Sequence, residues 1–448
     1  MIDVQEEKNT YLANFSRFER EAGAGGPPGL HRLRKAALKR FTELGFPTLR
    51  NEDWRFTNVA ALAQIPFKLA SRPHEHGLMV EQLERAGLPA GNYPRLVFVN
   101  GWYAPELSAR GTLPEGVTVG SLAQALETHP EWVEPHLARY ARHQDLAFTA
   151  LNTAFIRDGA FVRVPKGTVV EEPVYLLFVT TTAGEASVAH PRNLILAGES
   201  SQLTLVEAYL GLEDEVYFTN AVTELAVGEN AVLDHYKLQR ESEEAFHIAN
   251  TQIYQARSSV LCSHYMGFGG ALVRNEVRAL LDAPGCECTL NGLYLAAGRQ
   301  HMDNHTVIDH ARPHCASHEL YKGILDGKAH GVFNGKIFVR QDAQKTDAKQ
   351  TNQTLLLSED ATINTKPQLE IYADDVKCTH GATVGQLDAD ALFYLRARGL
   401  GAAEARSLLT FAFANDVIGR IKVAPLRERL EQVLLAARHL PRVEETEE

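Results

Sequence analysis

Apolar and polar positions alternate in short runs through most of the middle of the chain. From about Ala147 to Val384 this pattern predicts a succession of short strands, among them Phe161–Pro165, Val174–Val179, Asn193–Gly198, Gln202–Tyr209 and Gly331–Arg340. A polar turn precedes an alternating strand again and again, with turns near Gly198, Gly228, Ala256, Ala283, Asp326 and Ser358. The steps between them are 30, 28, 27, 43 and 32 residues. That period is loose, but it is the spacing of coils in a solenoid and too long for hairpins. No strand is followed by a long helix, which disfavours a doubly wound parallel sheet. The pattern predicts a sheet solenoid or β-helix, with a β-sandwich as the alternative.

Both ends read as helical. Residues 1–20 predict a short helix, and the breaker-rich Ala22–Gly29 a linker. Leu30, Leu33, Ala37, Phe41 and Leu44 recur at helical steps, with Arg32, Arg34, Lys35, Lys39 and Arg40 on a solvated opposite face. Gly45 and Pro47 end that helix. In the following GFPTLRNEDWRFT (Gly45–Thr57), Trp54 and Phe56 are expected to anchor the segment to a core. Leu96–Tyr103 predicts a strand and turn, and residues 119–143 a helix with Leu122, Leu126 and Trp132 as apolar points. Near the other end, Asp388 is placed to cap a helix that stops at Gly399; Ala402–Ile421 gives a second, and Leu426, Leu430, Val433 and Leu434 mark a third. Three helices with apolar faces either pack on one another or dock another subunit.

The totals narrow the function. The 448 residues are 45% apolar and 23% charged, as in an ordinary globular protein with a large core. A net charge of −11 argues against a nucleic-acid binder and against a basic membrane-surface protein. There is no apolar run of about 18 residues and no basic-then-apolar start, so a cytoplasmic location is expected. Five cysteines, at 262, 286, 288, 315 and 378, include no C-x-x-C, and reduced thiols are expected.

Candidate chemistry centres on Asp374–Gly385, DDVKCTHGATVG. On an extended strand Cys378 and His380 share a side while Thr379 faces away. A thiolate with an imidazole suits Fe–S species, Cu(I) or Zn, but two donors do not close a site. The pair is half of a shared site, or else a small core cysteine beside a surface histidine. His301–His318 holds five histidines, one cysteine and two aspartates. On a strand His301, Asp303 and His305 would share one side and His310 would take the other, so the stretch is a hydrogen-bonded ladder or a metal site. Cys286 and Cys288 form a C-x-C that small buried cysteines would also explain. The chain carries no G-x-x-x-x-G-K-[ST], no G-x-S-x-G and no H-E-x-x-H. Nucleotide chemistry would have to come from another subunit.

Three strings carry a resemblance: Tyr321–Leu400, DNHTVIDHARPHCASHELYKGI (Asp303–Ile324) and GFPTLRNEDWRFT. They resemble the SufD family, one component of the SufBCD iron–sulfur cluster assembly complex. The resemblance implies a mainly β chain, a right-handed parallel β-helix over 146–385, flanked by a mainly helical region at 1–145 and a C-terminal helical region at 386–448. It implies pairing with the paralogue SufB through the C-terminal ends of the two β-helices, and docking of the ATPase SufC on the C-terminal helices. It implies a non-catalytic scaffold at whose interface with SufB a transient Fe–S cluster forms, with assistance to iron entry. His380 matches the family's histidine ligand, and Cys378 stands beside it. No cluster is expected to stay bound to the isolated chain, for which a homodimer is the alternative pairing. SufB carries a glutamate where Gly381 stands and a cysteine near Gln353, and both departures favour SufD. The rivals are a β-helix carbohydrate lyase or hydrolase, and a self-contained metalloprotein built on the 301–318 histidines.

Overall fold

The structure, a computed structural model, describes residues 11, 13–20, 28–70, 78–86, 91–181 and 184–436. It is a parallel β-solenoid of about 8 turns with helices at both ends. Successive strands of the chain go alternately to two sheets. One ends in His301–His310, His330–Val339 and Thr362–Ile371, the other in Ala316–Leu325, Asp347–Leu356 and Lys377–Gly385. Pairing is parallel and in register from coil to coil, as in His301↔His330↔Thr362 and Glu319↔Gln350↔His380. In-register parallel pairing puts equivalent side chains on one face, so each position becomes a ladder along the solenoid axis.

The repeating turn has a backbone cause. Ser200, Asn230, Ser258, Gly285, His314 and Lys345 occupy the same corner of successive coils, all with φ between 50° and 77°. That left-handed corner is open to small and polar residues at low cost, which gives the turns their polar character. Each corner is bonded to the next: Ser200 N donates to Glu229 O (2.7 Å), Asn230 N to Arg257 O (2.9 Å) and Lys345 N to Asp375 O (2.7 Å). The step of 43 residues arises because Gly298 and Gly327 turn the opposite corner. The turns near Asp326 and Ser358 belong to that second series, so the step spans one coil and a half.

Over most of the solenoid both faces of both sheets are covered, which explains the long apolar runs within the strands. Between the sheets lie residues such as Val162, Leu205, Ile253, Leu290 and Phe333. The outer face of one sheet packs Phe218, Phe246 and Leu272 against Phe41, Phe67 and Phe148 of the N-terminal region. The outer face of the other packs Tyr236, Met266 and Leu293 against Val417, Leu426 and Leu430 of the C-terminal helices. The helices Pro28–Leu44, Ala389–Ala397, Ala402–Ile418 and Ala424–Ala436 lie where the periodicity puts them. Asp388 caps as predicted, its carboxylate accepting from Asp390 N at 2.8 Å and Ala391 N at 3.0 Å. Residues 119–143 differ from expectation. A strand, Thr118–Ser121, precedes two short helices, Leu122–Thr128 and Pro130–Val133, because Pro130 breaks the run. The basic face of the Pro28–Leu44 helix is partly committed: Arg34 is buried and donates to Ile156 O. Of the 1–20 helix, residues 13–20 are helical; residues 1–10, the linker up to residue 27 and the tail after 436 lie outside the described residues.

One buried ion pair ties the helical region to the solenoid. Arg192 and Glu224 are both fully enclosed, with Nη2 2.6 Å from Oε1. Glu224 also accepts from the backbone N–H groups of Ala138, Tyr140 and Ala141 at 2.8–2.9 Å. Truncating one partner of such a pair strands the other charge. Glu224→Ala is expected to lower stability by about 3–5 kcal/mol, measured as a fall in the denaturant midpoint.

Candidate functional site

Among the described residues the solenoid ends without a cap. Thr362–Ile371 pairs only with His330–Val339, and Lys377–Gly385 only with Asp347–Leu356. Among the described residues nothing pairs with their outer edges, and no residue of either strand is fully buried. Tyr372 is 60% exposed and Val384 47%. The other end is closed by the short antiparallel strands Trp102–Tyr103 and Thr118–Ser121.

Cys378 and His380 stand on this final coil. Their register partners, Ala348 and Gln350, are buried and face the lumen. The pair therefore faces the lumen too, while Thr379 continues the outward ladder of His318 and Lys349. The structure brings the two predicted residues to one side, as the C-x-H spacing requires. Their surroundings differ. Cys378 is half-buried against a cluster that includes Ile337, Val339 and Ala348, whereas His380 is exposed at the open end. Burial, with Asp347 nearby, pushes the Cys378 thiol up. Among the described residues no group of three or more His, Cys, Asp or Glu side chains is placed to hold a metal ion. The donors fit an iron–sulfur species as one side of a shell, which another chain would have to complete.

Two residues beneath His380 were not singled out in the sequence. Gln350 Nε2 donates to Glu319 Oε2 at 2.6 Å. Gly335 on the opposite wall leaves room for this amide: a Cβ there would sit 2.4 Å from Gln350 Nε2. Glu319, Gln350 and His380 are spaced by one coil each, so the period, applied residue by residue, would have found them. Gly381 has open space around it, so its lack of a side chain answers no steric demand. Gln353 is half-buried on the outward face, in register with Thr383, and does not join the lumen pair.

Of the 301–318 histidines, His301, His305 and His310 are hydrogen-bonded, while His314 and His318 are exposed. His301, Asp303 and His305 face outward, under the Gly45–Thr57 segment. Thr57 Oγ1 donates to Asp303 Oδ2 (2.5 Å) and lies 2.9 Å from His301 Nε2. Arg274 bonds Asp303 at 2.6 Å and Asp53 O at 2.8 Å, with its guanidinium 3.9 Å from the Trp54 ring centroid. Burial alone would raise the Asp303 carboxyl, but His305 and Arg274 outweigh it and hold it well below the usual range. His310 faces inward, bonded to Ser317 Oγ at 2.9 Å, so the set splits. Trp54 is an anchor, but Phe56 is not: it is 36% exposed at the rim of a cleft with Glu52, His305 and Lys366. Cys286 and Cys288 are buried.

Comparison with known proteins is consistent with this arrangement. Residues 178–413 match the family model for the SufBD core domain of SUF-system FeS cluster assembly, and residues 5–176 match the SufBD protein N-terminal region. The chain belongs to the SufBD family. It is 37% identical to an iron–sulfur cluster assembly SufBD family protein of Synechocystis, over 89% of each chain. It is 31% identical to the iron–sulfur cluster assembly protein SufD of Escherichia coli, over 88% of this chain and 89% of that one. It is 27% identical to SufD of Bacillus subtilis, over 95% and 96%. It is a SufD-type subunit of the SUF system. Both family segments meet at the Thr57–Asp303–Arg274 contact, which joins the N-terminal region to the SufBD core.

Burial raises the Glu319 carboxyl to about 7, with Thr306 and Gln350 opposing the shift. A carboxyl raised on folding stabilises the fold fully below its unfolded value near 4.5, and that contribution is lost as pH rises to about 7. Glu319→Gln removes the loss. The variant's stability relative to the parent is expected to rise between about pH 4.5 and 7 and level off above, as read by thermal melts across that range.

Proposed function

We propose that the chain is a non-catalytic scaffold that pairs with SufB through the open end of its β-helix and carries SufC on its C-terminal helices. A nascent Fe–S cluster forms at the SufB–SufD interface, and His380, with Cys378 beside it, supplies donors from this side. The carrying observation is the uncapped final coil with a thiol and an imidazole on its lumen side. Exposed strand edges seek another strand, and another chain's edge would meet these. The same surface would serve a homodimer of the isolated chain. The cluster is cargo: two donors on one side do not retain it, and iron enters as the interface opens.

A second surface supports the SufC assignment. The helix Ala389–Ala397 has no buried residue, and Phe393 and Tyr394 are 74% and 57% exposed. Arg396, Leu400 and Gly401 line a hollow beside them. Exposed aromatics around a hollow fit a partner's anchor. The sequence has no phosphate-binding loop, so ATP binding and hydrolysis fall to SufC, in the cytoplasm. No described helix is long and apolar enough to cross a membrane.

His380→Ala is expected to leave the complex assembled and to lower cluster yield severalfold on anaerobic reconstitution with iron and sulfide. An unchanged yield would remove His380 from the mechanism. Phe393→Asp is expected to weaken co-purification of the ATPase by about 2 kcal/mol or more while circular dichroism stays unchanged; full retention of the ATPase would place its dock elsewhere.

A further inference from the structure

The amide beneath the open end has one half of its hydrogen bonding unused. Gln350 Nε2 is committed to Glu319, but Gln350 Oε1 is buried and has no partner among the described residues. A buried carbonyl oxygen left unpaired costs about 1–3 kcal/mol, so this atom favours any donor that can reach it. The amide cannot swing away to find one. Glu319 fixes it from the coil below, and on the far wall Gly335 and Phe333 shape the slot it crosses. Above it, in register on the next strand, stands His380. Adjacent strands lie about 4.8 Å apart, so a His380 ring turned down into the lumen would approach that oxygen.

We propose that Gln350 is a positioning residue for His380: its amide oxygen accepts one imidazole N–H and leaves the other ring nitrogen, lone pair outward, at the open end of the solenoid. Histidine ligands usually hold their tautomer in this way, through a hydrogen bond from the nitrogen that does not bind metal. The distinctive part is the anchor. Glu319, wholly enclosed, fixes the amide so that the carbonyl rather than the NH2 faces upward. The inference rests on the ligand role proposed for His380, but its first measurement does not require a cluster.

The test is histidine 15N NMR on the full chain at about pH 8, with the His380 signal assigned by its loss in His380→Ala. A single neutral tautomer is expected in the parent. Gln350→Leu is expected to give a mixture. A mixture in the parent, or a single tautomer in Gln350→Leu, would overturn the proposal; the parent spectrum decides even if the leucine variant fails to fold. In the reconstituted complex Gln350→Leu is expected to slow cluster formation about 10–100-fold. Should His380→Ala leave cluster formation intact, the ligand role falls while the tautomer result still reads Gln350 by itself.

Discussion

Backbone pairing between successive parallel coils is the interaction on which the rest of this structure depends. Each coil satisfies the N–H and C=O groups of the one before it and presents its own to the next. Such a stack is complete everywhere except at its ends. One end is folded over by short antiparallel strands. The other stops at Thr362–Ile371 and Lys377–Gly385 with a free edge. The geometry of the fold thus creates the surface where Cys378 and His380 lie.

In-register stacking also sorts the polar residues. On the outward face it aligns Arg274 with Asp303 and sets Thr57 and Trp54 over them, holding the N-terminal region in place. In the lumen it aligns Glu319, Gln350 and His380. A buried carboxyl in the bore is a liability unless a partner is supplied; Gln350 supplies one here. The histidine-rich strand and the C-x-H strand look alike as motifs, yet their settings differ. One is closed over by the chain itself, and the other faces the lumen of the last coil.

Much of this was legible before the fold was known. The turn spacing pointed to coils because each left-handed corner favours a small or polar residue, as at Ser200, Asn230 and Gly285. It blurred at Asp326 because glycines turn both corners and the count passed from one series to the other. The C-x-H pair was legible because strand geometry alone sets i and i+2 on one side. Gln350 and Glu319 escaped notice because their link to His380 runs across strands, and adjacency in space appears in sequence only as an offset of one coil. Phe56 was misjudged because an aromatic residue reads as buried, while its place at the end of the NEDW turn leaves it at a cleft rim.

The free edge bears on cooperativity as well as on contact. In a quasi-one-dimensional stack each layer is stabilised by its two neighbours, and the last layer has only one. Local opening is therefore cheapest there, and fraying proceeds inward from Lys377–Gly385. A chain that pairs with this edge supplies the missing neighbour, so ordering of the last coil and association become a single equilibrium. Hydrogen-exchange protection should then fall along the solenoid axis in the free protein and become level once the edge is covered.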